Sequence, residues 1–154
     1  MALYILAFLI GVATGLRAMT PVAVVSWAAH LGWLHLHETW LAFLGFAYTP
    51  YVLSLLALGE LVTDKLPATP SRKIPMQFGA RIVMGALCGA ALGAHGHALI
   101  AGLVLGVIGA ALGTLGGAEV RRQLSRAIGK DLPAALIEDG VAIGGAILIV
   151  SRFS

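Results

Sequence analysis

Apolar residues run almost unbroken from Leu3 to Leu16, are interrupted by Arg17, Thr20 and Pro21, and resume from Val22 to about Leu34. At 1.5 Å rise per residue a membrane span needs roughly 20 residues, so each half is short and the two together are too long for one straight helix. The pattern predicts a broken or strongly tilted first element. Thr20 is placed to cap the free amides of the second half, with Pro21 at its first helical position. A second span is expected over about Thr39 to Gly59, kinked near its centre by Pro50. A third covers about Gln77 to Gly93, a fourth about Ala98 to Gly117, and a last begins at Pro133 and ends near Val150. A variant with residues 3 to 16 and 22 to 34 as separate passes gives six segments and moves only the N-terminus.

Small residues recur on the same period as the helix. Gly85, Gly89 and Gly93 are spaced by four, as are Gly109, Gly113 and Gly117, and the pairs Gly11/Gly15, Gly102/Gly106 and Gly140/Gly144 repeat the spacing. Residues four apart share a helix face, and a glycine face lets backbones approach closely where lipid removes the hydrophobic drive. The expected fold is therefore all-α: one integral membrane domain over residues 1–154, a polytopic helical bundle of five to six spans with glycine-zipper packing. Spare glycine faces offer a homo-oligomer interface, with a dimer favoured.

Composition sharpens the class. Of the 154 residues 59% are hydrophobic and 11% charged, and the mean hydropathy is +0.94. Soluble domains run at roughly 25% charged, so soluble enzymes and nucleic-acid binders are poor readings. The net charge of +3 matters less than its placement. Lys65, Arg72, Lys73, Arg81, Arg121, Arg122, Arg126 and Lys130 collect on one side of the alternating spans, and Arg152 alone lies opposite. The positive-inside rule makes the basic side cytoplasmic, as for a bacterial inner-membrane protein with its N-terminus inside and C-terminus outside. No cleavable signal peptide is expected, because the first basic residue follows the apolar run. Cys88 stands alone in an apolar stretch and reads as a small buried hydrophobe.

Charges inside spans are expensive in lipid and mark the residues to weigh for function. Arg17 precedes the predicted helix start at Thr20 and Pro21. A guanidinium and a helix N-terminus converging there would attract an anionic group; the alternative is a structural arginine paired with a carboxylate of the second or fifth span. Glu60 and Asp64 share a helical face at the end of the second span, and Glu138 and Asp139 lie in the first turns of the last. With Arg81, these two acidic pairs form the candidate ion- or substrate-binding set. Glu60, Asp64, Glu138 and Asp139 are weak metal candidates through oxygen ligands. The histidines, His30, His35, His37, His95 and His97, fall on the outer side and read as solvated turn residues rather than a closed metal site. There is no P-loop, no G-x-S-x-G, no H-E-x-x-H and no cysteine pair, which weighs against an enzyme, and no cofactor is expected.

Several of these residues together resemble a known family. Gly15-Leu16-Arg17 with Thr20-Pro21, Gly59-Glu60 leading to Asp64-Lys65-Leu66-Pro67 and Thr69-Pro70-Ser71-Arg72, Arg81 before a Gly/Ala run, and Glu138-Asp139 before Gly144-Gly145 are similar to small bacterial integral membrane proteins known only as a domain of unknown function (four-one-two-six). The resemblance implies a compact multi-span membrane protein and brings no activity. The expected function is a transport protein, channel or secondary transporter, for an ion or small charged solute, proton- or cation-coupled, with its site at the broken helix. The alternative is a membrane enzyme or binder acting on a lipid phosphate at the cytoplasmic face, with Lys65, Arg72, Arg81 and Arg121 as phosphate clamps.

Overall fold

The computed structural model describes residues 1–36, 38–63, 75–129 and 131–154, and these are helical with no strand among them. In order they form α1 (Ala2–Leu16), α2 (Met19–His30), a 3₁₀ turn (Trp40–Gly45), α3 (Thr49–Thr63), α4 (Pro75–His95), α5 (Leu99–Ile128) and α6 (Asp131–Ser151). Among the described residues, three stretches are long and apolar enough to cross a membrane: Gln77–His95, Leu99–Ile128 and Pro133–Ser151. Large apolar side chains, among them Tyr51, Leu55, Leu58 and Val62 of α3, lie exposed on the exterior, a surface suited to lipid rather than water.

The core is built on close backbone approach. α5 lies between α1 and α4, and its glycines face both neighbours. A Cβ on Gly106 would meet the backbone of Gly85 and Gly89 on α4, while one on Gly109 or Gly113 would meet the backbone of Val12 on α1, in every case within 3.0 Å. Gly11 and Gly15 meet α5 in the same way. Any side chain at these positions would force the helices apart, so glycine here substitutes for apolar packing as the source of close contact. At one end of the bundle Val22, Val25, Leu34, Leu41 and Leu44 form an apolar cluster with Cys88 and Leu92. Polar links from α2 fix its neighbours there: Ser26 donates to the Leu44 carbonyl and Trp27 Nε1 donates to Ser54 Oγ at 2.9 Å.

The first element is interrupted at Arg17, and the interruption reverses the chain rather than bending it. Leu3 packs at Gly96, just past the end of α4, and the backbone amide of His35 donates to Nδ1 of His95 at the end of that same helix. Both ends of the α1–α2 segment therefore return to the His95 end of the molecule, while Gly15 and Arg17 lie far down the bundle. α1 and α2 run in opposite directions as a helical hairpin, so the first element is broken rather than tilted, its halves being two separate helices. With this reversal the six helices alternate in direction, and Met1 and Phe153 fall at the same end.

Three further boundaries differ from the expectation. Pro50 stands in the first turn of α3, where a missing amide is tolerated, and so it starts that helix instead of kinking a longer one. The helix of the expected fourth span, α5, does not stop at Gly117. It runs on through Arg121, Arg122 and Arg126 until Gly129 adopts the left-handed conformation (φ 82°) that closes it, because polar residues alone do not stop a helix and Glu119 accepts from Arg122 and Gln123 along it. Thr20 is not the cap of α2, which begins at Met19 with Ala18 preceding it and with no side-chain cap of its own.

Candidate functional site

The tip of the α1–α2 hairpin gathers most of the charges singled out from the sequence. Arg17 follows the last residue of α1 in extended conformation (φ −143°, ψ 114°), and its side chain is wholly buried. Its Nε and Nη2 both reach Oδ1 of Asp139 on α6. A desolvated guanidinium is stable only with such a partner, since the bare charge would otherwise lose its hydration without replacement.

The two helix ends exposed by the reversal are satisfied from outside. The amides of Ala18 and Met19, at the positive start of α2, donate to Oε1 and Oε2 of Glu60 at 2.9 and 2.7 Å. Glu60 thus supplies from α3 the cap that the sequence assigned to Thr20. The carbonyl of Gly15, at the negative end of α1, accepts from Arg81 Nη1 at 2.8 Å and from Thr114 Oγ1 at 3.4 Å. Arg81 Nη2 in turn lies 3.8 Å from Glu60 Oε1. An anion sits on the helix N-terminus and a cation on the helix C-terminus, each complementing the local dipole, and the two attract one another across the break. Thr20 is buried beside this tip, and among the described residues its Oγ1 has no hydrogen-bond partner.

Glu138 and Asp139 are adjacent in sequence but reach different helices. Successive residues on a helix point about 100° apart, and here they face different arginines. Asp139 holds Arg17, whereas Glu138 Oε2 lies 3.6 Å from Arg121 Nη1 on α5. Around the tip, among the described residues, three arginines, Arg17, Arg81 and Arg121, face three acids, Glu60, Glu138 and Asp139. Asp64 lies outside the described residues, and so do Lys65, Arg72, Lys73 and Lys130. Among the described residues no group of three or more His, Cys, Asp or Glu side chains is placed to hold a metal ion.

Two features were not singled out from the sequence. Thr114, in the glycine-rich part of α5, also donates to Ala110 O at 2.8 Å, and a threonine amid glycines is the signal that marks it. A cavity of about 290 Å³ opens between α1, α5 and α6, with Val12, Leu16, Leu112, Gly116, Arg121 and Glu138 in its wall. At the opposite end, His35 and His95 stack with ring centroids 5.2 Å apart and His95 meets Phe153 edge to face, so these histidines tie the ends of three segments together. His37 lies outside the described residues.

Residues 4–151 match a family described as Domain of unknown function (DUF4126). No curated protein and no solved structure matches the chain.

Proposed function

As the chain belongs to that family of unknown function, we propose from its geometry that it is a multi-span transport protein for an ion or small charged solute, with the site at the tip of the α1–α2 hairpin. The observation that carries the reading is the wholly buried Arg17, held by Asp139 between two helix ends capped by Glu60 and Arg81. Measured from the His95 end at 1.5 Å per residue, Arg17 lies about 22 Å down α1 and Asp139 about 18 Å down α6. The hydrocarbon core of a bilayer is about 30 Å thick, which puts the tip within it. Irregular backbone at that depth is tolerated where protein or a water-filled path surrounds it, and broken helices meeting buried charges are the usual substrate sites of transporters.

In this reading an anion competes with Glu60 for the start of α2 or with Asp139 for Arg17, and a cation or proton competes with the arginines for the carboxylates. Either event breaks one ion pair and frees a hinge of two non-helical residues, Arg17 and Ala18. The protein sits in the bacterial inner membrane with the Arg121–Arg126 end cytoplasmic and both termini outside, α1 and α2 forming a re-entrant hairpin and the glycine-zipper faces holding α1, α4 and α5 together. Gly140 and Gly144 have open space where a side chain would project, a face suited to a second copy of the chain. The reading is tested by ion flux in proteoliposomes with Arg17→Ala and Asp139→Asn; unchanged flux in both variants would overturn it.

The alternative, a membrane enzyme or binder of a lipid phosphate, draws support from the apolar cavity that has Arg121 in its wall. It draws none from Arg81, which is turned into the end of α1.

A further inference from the structure

We propose that the cavity between α1, α5 and α6 seats one acyl chain of an acidic phospholipid from the surrounding bilayer, with Arg121 as the contact for the phosphate. The proposal takes up the binding half of the lipid reading, requires no catalysis, and does not depend on whether the hairpin tip passes a solute.

The shape and the lining argue for a chain. The wall follows α5 from Leu112 to Leu124, twelve residues or about 18 Å of helix. Its volume of about 290 Å³ is at the low end of small-ligand sites, which begin at roughly 300 Å³. Apart from Arg121 and Glu138 the lining is aliphatic or glycine, so a wholly polar solute would lose its hydration there without replacement. A slot that is long and apolar, with its cation toward the Leu124 end of the α5 wall, fits an amphiphile.

The position of the charged end argues for a phosphate. Arg121 lies seven residues, about 10 Å of helix, past Thr114 at the hairpin tip, and so on the Arg122–Arg126 side of that tip, toward the headgroups. Arg122 and Arg126 follow it on the same helix end against a single acid, Glu119. This basic surplus draws acidic headgroups toward the mouth of the slot. Glu138, the acid on the wall, faces Arg121 at 3.6 Å, wider than the 2.7–2.9 Å of a charge-assisted hydrogen bond.

Gly116 makes the seat testable, because it lines the cavity and no heavy atom lies within 4 Å of a Cβ built there. Gly116→Leu fills the slot without striking the backbone, and Gly59→Leu, also in open space but on α3, is the control. The full chain in a neutral maltoside is titrated by native mass spectrometry with dioleoyl phosphatidylglycerol, with dioleoyl phosphatidylcholine of identical chains, and with inorganic phosphate. The wild type should bind the glycerol lipid about five- to tenfold more tightly than the choline lipid, and free phosphate more weakly than either. Arg121→Gln should abolish the preference, Gly116→Leu should weaken both lipids, and Gly59→Leu should change neither. Equal affinity of the wild type for the two lipids would overturn the proposal, as would a Gly116→Leu protein with wild-type melting that still binds the glycerol lipid as before. Should Gly116→Leu fail to fold, a preference retained by Arg121→Gln overturns it alone.

Discussion

Arg17 and Asp139, 122 residues apart in the chain, meet as a buried ion pair that ties the tip of the α1–α2 hairpin to the first turns of α6. The pair does two things at once: it neutralises a charge that the surrounding helices do not solvate, and it fixes the point at which the chain reverses. Removing one partner strands the other, so Arg17→Ala is expected to cost about 3–5 kcal/mol of stability. Replacing both with apolar residues of similar size, Arg17→Met with Asp139→Leu, removes the stranded charge and should restore most of it. Thermal unfolding in detergent of the two single variants and the double variant checks this; a double variant less stable than either single one would contradict it.

Glu60 and Arg81 cap opposite helix ends and face one another, which makes their contributions interdependent. Glu60→Ala should destabilise by about 1–2 kcal/mol through loss of the amide acceptor at Ala18 and Met19. Arg81→Ala should do so by a similar amount through loss of the donor to Gly15. Because the two share one junction, the double variant should lose less than the sum, with a coupling of about 0.5–3 kcal/mol. Strict additivity in a double-mutant cycle would show that the two caps act separately.

The glycines divide by what faces them. Gly89→Ala or Gly106→Ala places a methyl against backbone of the neighbouring helix and should cost about 1–3 kcal/mol or prevent assembly. Gly59→Ala and Gly140→Ala project into open space and should be neutral or slightly stabilising through helix propensity. Gly140→Leu with Gly144→Leu should leave the monomer folded and shift a dimer toward monomer by light scattering. An unchanged dimer would remove α6 from the interface.

The alternation of the six helices puts both termini on one side. In a Cys88→Ala background, which removes the single buried cysteine, Ala2→Cys and Ser154→Cys should react with a membrane-impermeant maleimide from the same side, and Arg126→Cys from the other. Labelling of Ala2→Cys and Ser154→Cys from opposite sides would restore an odd number of passes and contradict the hairpin.

Much of this was readable in the chain. The interruption at Arg17, the acids that surround it and the basic end of the bundle follow from where charge punctuates an apolar sequence, because lipid makes each such position conspicuous. What periodicity does not carry is direction. A kink and a reversal at Arg17 leave the same local pattern, and the choice is made by Asp139 and Glu60, distant residues that satisfy the reversed ends. Thr20 reads as the cap because local capping is the common solution, yet a carboxylate from another helix reaches the amides at the start of α2. The 3₁₀ turn over Trp40–Gly45 is itself apolar and leaves no polar trace, so the pattern alone sets Pro50 at a helix centre instead of a helix start. The extension of α5 past Gly117 was hidden because polarity marks the end of an apolar span, not the end of a helix.

The central claim, that the hairpin tip is a path for a charged solute, is tested most directly in proteoliposomes of the full chain. The flux of chloride, inorganic phosphate, sodium, potassium and protons is compared between the wild type and the Arg17→Met, Asp139→Leu double variant, which is expected to remain folded. The account predicts flux of at least one of these above empty vesicles for the wild type, and none for the double variant with wild-type melting. A folded double variant that conducts like the wild type, or a wild type that passes none of the five, would contradict it.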